Sequence, residues 1–154
     1  MKIVVSPNPY RDKQFKNARQ ACSILREAGA EVALCLPFDV DKTFEIPHDL
    51  RFQDIQKEIK TADMLICFGG DGTILHSSKI ATEHNLPILG VNIGTMGFIA
   101  ELEAGEIELL RKIPKGDYTV EERTMLDVSV GNGRQTLFHE TALNDAVINK
   151  GAIA

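Results

Sequence analysis

Between Met64 and Leu75 the apolar run Met64-Leu-Ile-Cys-Phe68 breaks into Gly69-Gly-Asp-Gly72 and resumes with helical spacing from Thr73. No other segment leaves so few folds open, because a buried strand must turn sharply and pass at once into a helix. Glycines at 69, 70 and 72 let the backbone bend and approach a ligand with no Cβ in the way. A helix beginning near Thr73 adds unpaired N–H groups and a partial positive charge at its first turn, which suits an anion such as phosphate. Asp71 runs against that electrostatics. A carboxylate beside an anion site is unfavourable unless it holds a cation or takes a proton from a hydroxyl nucleophile. An ordinary strand-to-helix connection also tolerates glycine and often uses Asp as a cap, but three glycines around one acid exceed what a turn needs.

The flanking pattern supplies the architecture. Ile3-Val-Val5 reads as a buried strand, and Phe15, Ala18, Cys22, Leu25 and Ala28 recur at helical spacing until Gly29. Glu31 to Pro37 is a second strand, Phe38 to Leu50 an irregular loop, and Phe52, Ile55 and Ile59 mark a further helix. Met64–Phe68 is the third strand, a helix runs from Thr73 to about His84, and Pro87–Asn92 is the fourth strand. Alternating strands and helices predict an α/β fold, a Rossmann-like parallel sheet flanked by helices over residues 1–115. Ligands in such sheets sit beyond the carboxyl ends of strands, where both the Asp71 loop and the segment after Asn92 emerge. After a helical stretch through Ile107, Leu110 and Ile113, strand alternation begins at Leu126, Val128 and Val130, with Asn132-Gly133 as a two-residue hairpin turn. Residues 116–154 are therefore expected to be the start of a β-rich second domain, too short to close on its own. The expectation is that the chain is a fragment or a truncated product.

Composition excludes several classes. The net charge is −5 and no Lys/Arg block appears, so neither nucleic acid nor an anionic membrane surface is expected as a partner. No apolar run approaches spanning length and the N-terminus lacks a signal-peptide core. Cys22, Cys35 and Cys67 lie in apolar stretches without CxxC spacing and read as buried free thiols, so the expected compartment is the cytoplasm. No set of metal-ligating side chains stands out, and no Gly-Lys-Ser/Thr or G-x-G-x-x-G accompanies the loop.

Two further constellations accompany the first. Gly90-Val-Asn-Ile-Gly-Thr-Met-Gly-Phe98 places Asn92, Gly94, Gly97 and an aromatic ring directly after the fourth strand, as a second ligand loop. Phe98 taken alone reads more safely as core; the glycines around it raise the alternative that it covers a base. Asn144-Asp145 interrupts an apolar segment, as a turn or bulge or as a grip on two ribose hydroxyls. His76 falls in the first turns of the helix after Asp71, within reach of a phosphate or ribose, although a solvated histidine fits equally well.

Together Gly69-Gly-Asp-Gly-Thr73, Gly90 to Phe98 and Leu143-Asn-Asp145 resemble, in order, three motifs of the NAD kinase family. Diacylglycerol and sphingosine kinases and phosphofructokinases share the first motif, so a lipid kinase or sugar-phosphate kinase is the alternative enzyme. The resemblance implies transfer of a phosphoryl group from ATP or polyphosphate, with Mg²⁺, to the 2′-hydroxyl of the adenosine ribose of NAD. It implies Asp71 as general base and Gly69, Gly70, Gly72 and Thr73 around the phosphates. Asn92, Gly94 and His76 would be further contacts, with Phe98 against the adenine and Asn144 with Asp145 on a ribose. Full-length members are expected to be homo-oligomers. The family's downstream Gly-Ser-Thr-Ala-Tyr segment has no counterpart in this sequence, so a non-catalytic nucleotide-binding fragment is the remaining alternative.

Overall fold

Ile3, Val4 and Val5 are apolar in succession and are buried on both sides, which is the environment of a central parallel strand. In a computed structural model of the chain they lie in β1 (Lys2–Pro7), which pairs on one side with β2 (Glu31–Leu34) and on the other with β3 (Met64–Gly69). Two more parallel strands follow, β4 (Ile88–Asn92) and β5 (Leu102–Glu103), giving the order β2-β1-β3-β4-β5. The order reverses between β1 and β3, and at such a point the connections leave in opposite directions and open a crevice beyond the strand ends. The structure describes residues 1–95 and 97–148, in two units, Met1–Val120 and Glu121–Ala154.

Period-two alternation sends neighbouring side chains to opposite faces of the sheet. Ile3, Val5, Ile66, Phe68 and Val91 join one core with Ala18, Leu25, Ile107 and Leu110, from α1 (Lys16–Glu27) and a 3-10 helix at Ala104–Lys115. Val4, Ala33 and Leu65 join the other with Ile59 and Ala81. Ile59 follows the one-turn α2 (Ile55–Glu58), and Ala81 belongs to α3 (Asp71–Glu83). Each fully buried Leu, Ile or Phe contributes about 1.5–3 kcal/mol, so the two faces carry most of the fold's stability. Gly90 matters to one of them. A Cβ there would stand 2.5 Å from Ile74 Cδ1 and 3.3 Å from the Ala100 backbone, so glycine lets the Ile74 side chain of α3 pack directly onto β4.

The structure departs from the expected elements at several points. Phe52 lies outside α2, because Gln53 bridges to Cys35 and the Phe52 ring packs on Phe15 at 4.9 Å; the helix waits for its cap, Asp54, whose carboxylate accepts from Gln56 N. The helix α3 begins at Asp71 rather than near Thr73, with Gly70 extended at the N-cap. Strand β5 has only two residues, too few to leave a periodic trace. The hairpin turn spans Asn132–Gln135 between β6 (Leu126–Gly131) and β7 (Thr136–Ala142). A two-residue type I′ turn needs positive φ at both central positions, and here only Gly133 has it, so Asn132 Oδ1 instead accepts from Arg134 N and Gln135 N. Met96 in the second glycine loop and residues 149–154 of the expected second domain lie outside the described residues. Among the described residues no helix is long and apolar enough to cross a membrane.

Candidate functional site

The strand β3 delivers Gly69 and Gly70 to the crevice, and the three glycines there do different things. A Cβ on Gly69 would fall 2.3 Å from Thr73 Oγ1, so glycine is required for α3 to fold back onto the strand end. Gly70 and Gly72 are otherwise: among the described residues a Cβ on either would meet nothing within 4 Å, and neither has positive φ. Neither packing among the described residues nor backbone strain demands glycine at these two positions, and glycine leaves room there for the close approach of a ligand.

Both open glycines line a cleft of about 440 Å³, with Asn8, Arg11, Phe38, Thr73, His76, Gly94 and Thr95. Asn8 at the end of β1 ties the cleft together. Its backbone N–H donates to Phe68 O at 2.8 Å, its Nδ2 donates to Thr73 Oγ1 at 2.8 Å, and its Oδ1 accepts from Tyr10 N at 3.0 Å. His76 Nε2 lies 3.0 Å from Pro37 O, so that nitrogen carries the proton, and the imidazole meets the Phe38 ring edge-on at 5.8 Å.

Asp71 opens α3 between the two lining glycines, and its carboxylate accepts from Phe98 N at 3.1 and 3.2 Å and from Ile99 N at 3.2 Å. The second glycine loop is thereby fastened to the first. Asn92, only 2% exposed, braces that loop from beneath: Oδ1 accepts from Gly94 N at 3.0 Å, and Nδ2 donates to the Glu103 carboxylate at 3.0 and 3.2 Å. A Cβ on Gly97 would press to 3.0 Å from Asn92 Cγ, so the loop folds tightly over this amide.

The expected site residues thus divide. Gly70, Gly72, Thr73, His76 and Gly94 line the cleft, Gly69 and Asp71 adjoin these in the chain, and Asn92 and Phe98 belong to the loop bonded to Asp71. Asn144 and Asp145 are exposed in the second unit, beyond the end of β7. The core reading of Phe98 is overturned, since the residue is 86% exposed while its amide N–H donates to Asp71. Sequence reasoning missed Asn8, Arg11, Phe38 and Thr95. The signal for the first two was Asn8-Pro9, a turn pair directly after β1, at the strand end where a sheet of this order opens.

The cysteines stand apart from this chemistry. Burial pushes the Cys22 thiol up to about 11 and those of Cys35 and Cys67 to about 12, so all three are held as neutral thiols in the core. Among the described residues no group of three or more His, Cys, Asp or Glu is placed to hold a metal ion.

Residues 2–118 match the family model described as the ATP-NAD kinase N-terminal domain. An NAD kinase from Caldanaerobacter subterraneus is 34% identical over 99% of this chain, which covers 53% of that protein. An NAD kinase from Acetivibrio thermocellus is 30% identical over 100% of the chain and 52% of its own length. Among solved structures, yeast NADH kinase complexed with NADH superposes with a TM-score of 0.68 at 20% identity, over 94% of this chain and 47% of that one, which supports the likeness of fold. The chain spans about half the length of the curated relatives it matches.

Proposed function

The chain belongs to the NAD kinase family, and on that premise we propose that it supplies the phosphate-binding loop and general base of an enzyme that phosphorylates the 2′-hydroxyl of NAD's adenosine ribose. The observation that carries this reading is the fastening of Asp71 to the Phe98 and Ile99 amides beside Gly70 and Gly72, two glycines that the fold itself does not need. Two N–H donors fix the carboxylate's orientation while leaving it lone pairs for a proton. In the reaction Asp71 takes the proton from the 2′-hydroxyl, whose oxygen bonds to the terminal phosphorus of the donor. The bond from that phosphorus to the bridging oxygen breaks, releasing ADP or a shortened polyphosphate. The open amides at Gly70 and Gly72 and the N-terminus of α3 hold donor phosphates. The exposed Phe98 ring is free to lie on a base, and Asn144 with Asp145 would take a ribose.

Mg²⁺ fits this site as an ion carried on the donor phosphates, because it keeps several of its waters and binds largely through substrate phosphates, which leaves Asp71 to the 2′-hydroxyl proton. Bound there, it would neutralise charge on the transferring group. Buried neutral thiols at Cys22, Cys35 and Cys67 support a reducing, cytoplasmic setting.

The test is NADP formation from NAD, ATP and Mg²⁺. Asp71→Asn is expected to slow turnover by about 10²–10⁴-fold, and an unchanged rate would remove Asp71 from the role of base. Because the chain spans about half the length of its relatives, a second reading has it bind nucleotide without turnover. Calorimetry showing ATP or NAD binding in the absence of NADP formation would select that reading, and no binding of either would reject both.

A further inference from the structure

The reading of the cleft as a donor-phosphate site leaves one of its walls unexplained. Arg11 lines it and brings the one formally charged side chain among the described lining residues; the others are Asn8, Phe38, three glycines, two threonines and His76. Arg11 is exposed, and among the described residues no hydrogen bond or ion pair engages its guanidinium. Two other arginines are paired. Arg19 pairs with Asp49, and Arg111 pairs with Glu108 at 3.3 Å.

The backbone beneath Arg11 is held far more firmly than a solvated surface residue requires. Its N–H donates to Asn8 O at 3.1 Å, within a turn whose Asn8 is bonded to both Phe68 O and Thr73 Oγ1. The next residue, Asp12, is fully buried, and its carboxylate accepts from two amides in the first turn of α1, Asn17 N at 3.0 Å and Ala18 N at 2.9 Å. A fixed backbone on both sides of the exposed guanidinium presents a planar fork of N–H donors to a cleft that Gly70 and Gly72 also line. That arrangement matches a phosphate chain, which a guanidinium meets with paired charge-assisted hydrogen bonds. The acid nearest the loop does not compete, because the Asp71 carboxylate is bonded to Phe98 and Ile99 N–H.

We propose that Arg11 is a binding residue for the phosphate donor, gripping a phosphate beyond the one held at Gly70 and Gly72; this rests on the phosphate reading of that cleft. It is a ligand contact for a polyphosphate chain, whether that chain comes from ATP or from inorganic polyphosphate. AMP, with a single phosphate, does not reach it.

The experiment is calorimetric titration of the chain and of Arg11→Ala and Arg11→Lys with ATP, inorganic tripolyphosphate and AMP, at low and high salt. Arg11→Ala is expected to weaken ATP and tripolyphosphate about tenfold or more, with AMP unchanged and an unaltered melting temperature, since the side chain supports no packing. Arg11→Lys should recover part of the loss at low salt and less at high salt, as a point charge without the fork. Loss for ATP alone would assign the contact to the nucleotide, and loss for both to the phosphate chain. Equal binding by wild type and Arg11→Ala overturns this inference and leaves the cleft reading standing. Failure of the wild-type chain to bind either polyphosphate ligand overturns both.

Discussion

The two units of the molecule use the same apolar residue types to opposite effect. In Met1–Val120 the strand residues are enclosed on both faces, and Leu65, Ile66 and Phe68 have no exposed surface. In Glu121–Ala154, among the described residues, the strands β6 and β7 pair only with each other, and Leu126, Val130, Leu137 and Phe138 are all exposed. A two-stranded hairpin is at best marginally stable in water, whereas a sheet covered on both faces has a core. Strand patterning therefore specifies pairing in both units but stability in only one, and the unit with the core also holds the cleft.

The largest expected contrast is in stability. Leu65→Ala should cost about 2–5 kcal/mol in chemical unfolding, while Leu137→Ala should stay within about 0.5 kcal/mol. Comparable losses from the two would mean that the hairpin is part of the cooperative core. A smaller contrast lies within the glycine loop itself. Gly69→Ala must push Thr73 away and is expected to destabilise by about 1–3 kcal/mol, whereas Gly72→Ala should leave the melting temperature near wild type and weaken ATP binding. If Gly72→Ala destabilised the fold and left binding intact, the division between structural and ligand-facing glycines would collapse.

The smallest effect is the pH dependence contributed by the thiols, all of which lie in the first unit. Their values rise from the ordinary 9.0 to about 11 for Cys22 and about 12 for Cys35 and Cys67. The folded state therefore holds these protons more tightly than the unfolded one. Their contribution to stability is complete below pH 9.0 and is lost as the pH climbs through the folded values. Denaturation midpoints should fall over that window, and Cys22→Ala should flatten part of the fall. Thiol-reactive dye should label the native chain slowly at neutral pH and the denatured chain at once.

The strands and the Asp71 loop were legible because their signals are local: a continuous apolar run, a cluster of glycines, a change of period. Asn8 and Arg11 were not, since only the nonlocal pairing of β1 with β3 brings them to Thr73. Phe52 matched helical spacing yet joined an aromatic cluster with Phe15, where packing outweighed a weak helical preference. Asn92 could be seen as a polar residue at a strand end, but its enclosure between Glu103, Gly94 and Gly97 depended on β5, two residues that leave no pattern. The exposure of Phe98 goes with the bond from its amide to Asp71, which no spacing encodes.

The central claim is that the first unit binds phosphate at the open glycines and the Asp71 loop. Backbone amide NMR during titration with ATP reads this residue by residue. The account predicts shifts at Gly70, Gly72, Thr73, Phe98 and Ile99, with the hairpin amides of β6 and β7 unmoved by tripolyphosphate in a parallel titration. Unchanged amides at Gly70 to Thr73 at saturating ATP, or shifts confined to the hairpin, would contradict it.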